Sequence, residues 1–178
     1  MDTVTRRSEL YTVLVIVVVF FGAGCRGPAM DKARFAQVDA AARMVRKAVE
    51  AGASYERITV LTDQFSSEIA KISSGRTTGE ELQLLKAYSD LAAIYRDGLV
   101  LWKAQIDFSI FDSVLKGRVY VGQNVETLVS KYGFSTESHL YAPTQVYWKS
   151  IPADSIRIVW NNADSQLKII DNLLNERY

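Results

Sequence analysis

Residues 78–115 read TGEELQLLKAYSDLAAIYRDGLVLWKAQIDFSIFDSVL. Leu85, Tyr88, Leu91, Tyr95, Leu99, Trp102, Ile106 and Ile110 recur every three or four positions. That spacing lays one apolar stripe along an α-helix. Leu84, Ile94, Leu101 and Phe108 add a second apolar side. A helix that is apolar on two sides must be covered on two sides, which predicts a central helix from about Thr78 to Leu115. Thr77-x-x-Glu80 and Thr78-x-x-Glu81 both fit a capping box at its start. Gly98 falls in mid-helix, where glycine costs about 1 kcal/mol relative to alanine. Its presence there predicts a close approach by a neighbour or a slight bend.

The flanking segments supply the partners. Phe35, Val38, Ala42, Val45 and Val49 stripe a first helix that starts at about Ala29 or Asp31 and ends near Ala51, with Gly52 as its C-terminal cap. Ser54 is placed to cap a second helix, Tyr55 to Ser73, whose stripe is Ile58, Leu61, Phe65, Ile69 and Ile72. One long helix bent at Gly52 is the alternative. Residues 73–77, Ser-Ser-Gly-Arg-Thr, form a linker. Beyond the central helix, Gly117 and Gly122 bracket a short extended segment, Arg118 to Val121. Asn124 is the expected N-cap of a short helix, Val125 to Tyr132, closed by Gly133. Ser135 to Ser150 reads as irregular. Pro152 suits the first turn of a last helix ending near Asn175, with Ile156, Trp160, Ala163, Leu167, Ile170 and Leu174 on one side. The expected fold is all-α: an antiparallel four-helix bundle or close variant, with a small irregular excursion around residues 116–150. It forms one domain over residues 31–178 with no internal repeat.

Composition narrows the function classes. Hydrophobic residues make up 48% and charged residues 23% of the 178, a globular balance that excludes a largely disordered chain. Lys plus Arg is 21 against 20 for Asp plus Glu, a net charge of +1, which argues against nucleic acid as a partner. One cysteine and one histidine exclude a disulfide framework and a Cys/His zinc site within one chain.

The start of the chain reads as an address. Arg6 and Arg7 precede Leu10 to Gly24, fifteen residues without a charge. At about 1.5 Å per residue that run reaches about 22 Å, short of the roughly 30 Å hydrocarbon core, so it suits a signal-peptide core better than a spanning helix. It ends in Gly22-Ala23-Gly24-Cys25. Over these first 25 residues the chain resembles the bacterial lipoprotein class, with Gly22 standing where that class usually carries Leu. The resemblance implies a signal peptide over residues 1–24 and cleavage between Gly24 and Cys25. It also implies diacylglycerol on the Cys25 thiol and a fatty acyl group, palmitate or similar, on the new amine. A lone thiol in an exported chain agrees with that use, and two or three acyl chains anchor stably where one does not. The implied location is the bacterial cell envelope, lipid-anchored, facing the periplasm or the cell surface. The tether would be residues 25–30, so short that it keeps the domain near the membrane.

The residues that could carry chemistry are few. His139, in Glu137-Ser138-His139, lacks the Glu-x-x-His spacing of a di-iron bundle. It also lies in an expected loop, where a local role is the ordinary one, so neither a metal site nor a Ser-His-Asp nucleophile is expected. Covalent haem attachment and a nucleotide-binding glycine loop have no motif here, and no cofactor is expected. Asp90 and Asp97 share a helix face, as a solvated face explains. The aromatics are the better candidates. Tyr88, Tyr95 and Trp102 recur every seven residues along one side of the central helix. They either pack the core or line a groove for a glycan strand, peptide or apolar ligand; Tyr141, Tyr147 and Trp148 form either the mouth of that groove or a lid over one end of the bundle. The leading expectation is a non-enzymatic anchored domain that binds an envelope protein or a cell-wall partner. The second is a small-ligand carrier or sensor with an aromatic pocket.

Overall fold

The computed structural model describes residues 31–75, 77–109 and 116–175. The expected leader, Gly24, Cys25 and the tether lie outside the described residues, as does the expected end of the central helix over 110–115. Among the described residues, five helices and three strands follow in order: α1 Lys32–Glu50, α2 Tyr55–Ser73, α3 Gly79–Phe108, β1 Arg118–Tyr120, α4 Gln123–Tyr132, β2 Glu137–Tyr141, β3 Val146–Pro152 and α5 Asp154–Asn175. The chain is thus predominantly helical but not all-α. The expected irregular stretch holds a β-hairpin, and β1 completes a three-stranded antiparallel sheet of order β1-β3-β2.

The helix ends form for local reasons. Asp31 accepts from Ala33 N at 3.0 Å and starts α1. Gly52, at φ +63°, turns the chain out of it, so α1 and α2 are two helices rather than one bent helix. Ser54 caps α2 by accepting from Arg57 N. Of the two capping boxes that open α3, the one formed is Thr78 with Glu81: each side chain accepts from the other residue's backbone N–H. Gly133, at φ +66°, closes α4 as its position predicts. Two expected boundaries shift. The N-cap of α4 is Gly122, without a side-chain cap, because the helix starts two residues earlier than an Asn124 cap requires. Pro152 ends β3 instead of opening α5, which begins at Asp154.

Pairs along the helices fix their directions. Arg34 meets Glu81 and Tyr88 meets Asp39, so α1 and α3 run the same way. Arg43 pairs with Asp171 and Arg46 with Asp164, so α5 runs against α1. Tyr55 lies edge-on to Trp102 and Phe65 edge-on to Tyr88, so α2 runs against α3. The first core is a chain of rings: Phe35, Tyr88, Phe65, Tyr95 and Trp160 contact in sequence at 6.2–6.4 Å between centroids. These offset and edge-on geometries are the favoured ones for aromatic pairs. A second core of Leu101, Val119, Val125, Leu128, Ile151, Ile156 and Val159 joins the sheet and α4 to α3 and α5.

The mid-helix glycine of α3 permits the approach its position predicts. A Cβ on Gly98 would lie 2.2 Å from the Trp160 ring. Gly98→Ala is therefore expected to destabilise the domain by about 1–3 kcal/mol, the cost of overpacking a filled core, even though alanine is the better helix former. The denaturation midpoint measures it, and trimming the indole with Trp160→Leu in the same chain should recover part of the loss attributable to the clash. An unchanged midpoint in Gly98→Ala would contradict the packing.

Glu81 generates a pH prediction. Its carboxylate accepts from Thr78 N at 2.9 Å, from Asp31 N at 3.4 Å, and pairs with Arg34 at 3.3 Å. These interactions, that with the Thr78 backbone first, hold its pKa below the ordinary 4.5. A carboxylate with a lowered folded pKa adds stability above its unfolded pKa and loses it as pH falls through the folded one. Wild type should therefore lose more stability than Glu81→Gln between about pH 6 and about pH 3, since Gln keeps a capping geometry but has no charge to lose. Parallel pH profiles would contradict the assignment.

Candidate functional site

The sheet packs against the C-terminal half of α3, remote from Asp31. Asp31 and Glu81 meet at the start of α1 and α3, whereas Phe108, the last residue of α3, stacks on Tyr120 of β1 at 4.1 Å. Glu81 and Phe108 are about 40 Å apart along the helix axis at 1.5 Å per residue. The molecule has two chemically different ends.

At the sheet end the rings form a ladder. His139 lies 4.3 Å from Trp148, its registered partner across β2 and β3. Trp148 lies 6.1 Å from Tyr120, and Tyr120 continues to Phe108. Beneath the ladder, buried Ser150 is a polar hub. Its hydroxyl accepts from Arg118 Nε at 2.9 Å and shares a 2.7 Å hydrogen bond with His139 Nε2. Arg118 also pairs with Glu137 at 2.8 Å. His139, expected in a loop, lies on β2 and is hydrogen-bonded to its neighbour Ser150. Ser150, His139 and Arg118 Nε are thus hydrogen-bonded within the cluster, while Arg118 Nη2 faces Glu137 as a charge pair but is buried without a hydrogen-bond partner of its own.

A groove of about 510 Å³ runs beside this ladder, between α2, α3 and the turn from β1 into α4. Tyr55, Phe108 and Tyr120 give it aromatic walls, and Asp63, Arg96, Lys103 and Asp107 give it charge of both signs. Lys103 is held to Asp107 at 2.8 Å, and Arg96 reaches Ser66 Oγ at 3.2 Å. The aromatic heptad on α3, read as core or as groove wall, does not line this groove, which depends on Tyr55 and Tyr120 from separate elements. The glycines that bracket Arg118 to Val121 were the sequence signal nearest to it.

The six aromatics named from the sequence are not brought together. Tyr88 and Tyr95 are buried in the ring core. The Tyr88 hydroxyl donates to Asp39 at 3.1 Å, and burial first, then Asp39, pushes its pKa well above the ordinary value. Burial likewise raises the pKa of Tyr95. Neither ring is available to line an open groove. Trp102 is half-buried and borders a separate cleft of about 300 Å³ with Trp160 and Gly52. Trp148 sits in the ladder, while Tyr141 and Tyr147 are exposed on the hairpin. Asp97, one of the carboxylates considered, accepts from the Tyr132 hydroxyl at 2.7 Å and pairs with Lys131 at 2.6 Å. Asp90 pairs with Lys86. Among the described residues no group of His, Cys, Asp and Glu could hold a metal ion, and no helix is long and apolar enough to cross a membrane.

Ser150→Ala would strip Arg118 and His139 of a shared buried partner. The expected cost is about 1–3 kcal/mol, the penalty of an unmet buried polar group, read as a lower denaturation midpoint. A neutral result would contradict the hub. No family model matches the chain, and neither a curated protein nor a solved structure matches it.

Proposed function

We propose that this protein is a lipid-anchored cell-envelope domain that binds a partner without catalysis. In this reading the four long helices α1, α2, α3 and α5 close as an antiparallel bundle that serves as a rigid stalk, and the sheet at its far end is the contact surface. The observation that carries it is the hairpin. Leu140, Tyr141, Val146 and Tyr147 are 47%, 41%, 59% and 71% exposed in two registered cross-strand pairs. Single exposed apolar side chains are ordinary, but here each face of the hairpin presents an exposed cross-strand pair, Leu140 with Tyr147 on one and Tyr141 with Val146 on the other, which supports an interaction site. The anchor in this reading is Cys25, six residues before Asp31 in sequence. Six extended residues span about 20 Å, so the α1 end stays near the lipid and α3 sets the reach of the sheet.

A second reading, a small-ligand carrier, draws on the groove walled by Tyr55, Phe108 and Tyr120. Its volume falls within the range of ligand sites. Its two acidic and two basic side chains and its open side favour it less than the hairpin favours a macromolecular contact.

Mass spectrometry of the mature N-terminal peptide tests the anchor. The expected species begins at Cys25 and carries thioether-linked diacylglycerol and an amide-linked acyl chain. An intact leader with a free Cys25 thiol would overturn the anchored reading.

A further inference from the structure

β2 is an edge strand of the sheet, paired with β3 on one side. Natural edges are blunted by Lys, Pro, a bulge or extreme shortness, because their free N–H and C=O groups template further pairing. β2 carries a single charge, Glu137 at its first position, and otherwise lacks these guards: Glu-Ser-His-Leu-Tyr contains neither Lys nor Pro, and its five residues pair with β3 in unbroken register. Four of the five are exposed. β1, the other edge, differs: it has three residues, and its Tyr120 stacks on Phe108 of α3. The unguarded edge and the exposed apolar pairs of the hairpin coincide.

We infer that β2 pairs antiparallel with β2 of a second copy of this chain, about a two-fold axis at Leu140. The inference rests on the hairpin being the contact surface and names the occupant; it does not depend on the lipid anchor. A second copy is favoured because pairing about Leu140 joins like apolar groups and brings no like charges together. Pairing about Leu140 sets Leu140 opposite Leu140 of the other copy. Because Leu140 is registered with Tyr147 within each hairpin, one apolar row then crosses both sheets as Tyr147, Leu140, Leu140, Tyr147. On the opposite face each Tyr141 meets the other copy's His139, an aromatic pair of the kind that stabilises adjacent strands. Glu137, the charged residue of β2, falls opposite Pro143 in the turn, so no like charges face each other. A contact whose two sides are the same patch closes as a dimer and leaves no free β2 edge to propagate.

Light scattering of the full-length chain in detergent, with the micelle contribution subtracted, should give twice the chain mass. Leu140→Lys should return it to a single chain mass with an unchanged far-ultraviolet circular dichroism spectrum, since this exposed position does not support the core. Register is tested in a Cys25→Ser background with one new thiol. Leu140→Cys should be joined to itself by a short thiol crosslinker, whereas Ser138→Cys should not, because the pairing sets Ser138 against Ala142. A wild-type monomer, a dimer that survives Leu140→Lys, or equal crosslinking at 138 and 140 would each overturn the inference. A wild-type monomer would leave the anchored-domain reading standing, because that reading is decided at Cys25.

Discussion

The contact between the Trp160 indole and the backbone of Gly98 sets the spacing of α3 and α5. Interiors are packed to crystal density, so a helix pair separated by one methyl group must be repacked along its length. Much of the molecule lies downstream of this spacing. Tyr95 contacts Trp160 and passes the constraint into the ring core. Leu101 and Val159, within one turn of the contact, belong to the second core that receives Val119 and Ile151 of the sheet. The position of the hairpin therefore follows from a missing Cβ about forty to fifty-five residues away in sequence.

Polar groups contribute differently. Tyr88, Asp39, Arg43 and Asp171 form one network across α3, α1 and α5. The two hydrogen bonds to carboxylates, from Arg43 to Asp39 and then to Asp171, raise the guanidinium pKa. Arg43 and Asp171 are more than a third exposed, so solvent screening leaves the pair a small net stabilisation. Its value is geometric, since it fixes the rotation of α1 and α5 about their axes. The ring core stabilises the helices, and the network selects among rotations that the rings alone would tolerate.

The helices were legible because each has one wet face. The stripes on α1, α2 and α5 follow the 3.6-residue period, and Ser54, Gly52 and Gly133 act where they stand in the sequence. The hairpin was not legible, for two physical reasons. Strand alternation appears when one face is buried and the other wet, but β2 and the first half of β3 are exposed on both faces. The turn also hides its signal. Its left-handed residue is Gln145, at φ 55°, where glycine or asparagine would have marked it. The aromatic heptad on α3 was visible but ambiguous: sequence gives the face a ring lies on, and only tertiary packing decides whether that face is wall or interior. Two of its three rings are interior.

The same physics separates the hairpin from the rest of the surface. Along the helices, charged groups answer one another locally, as Lys86 does Asp90 and Lys103 does Asp107, so those faces are satisfied in water. In the Ser150 cluster, Arg118 Nε and His139 Nε2 are answered by the Ser150 hydroxyl. At β2 the unanswered demand is backbone hydrogen bonding joined to apolar area, and neither is met by more side-chain charge. Water can satisfy the edge amides but gains nothing from covering Leu140 and Tyr147. A second strand can do both at once, which is why strand addition, rather than a pocket or a charged patch, is the form of recognition this end of the molecule favours.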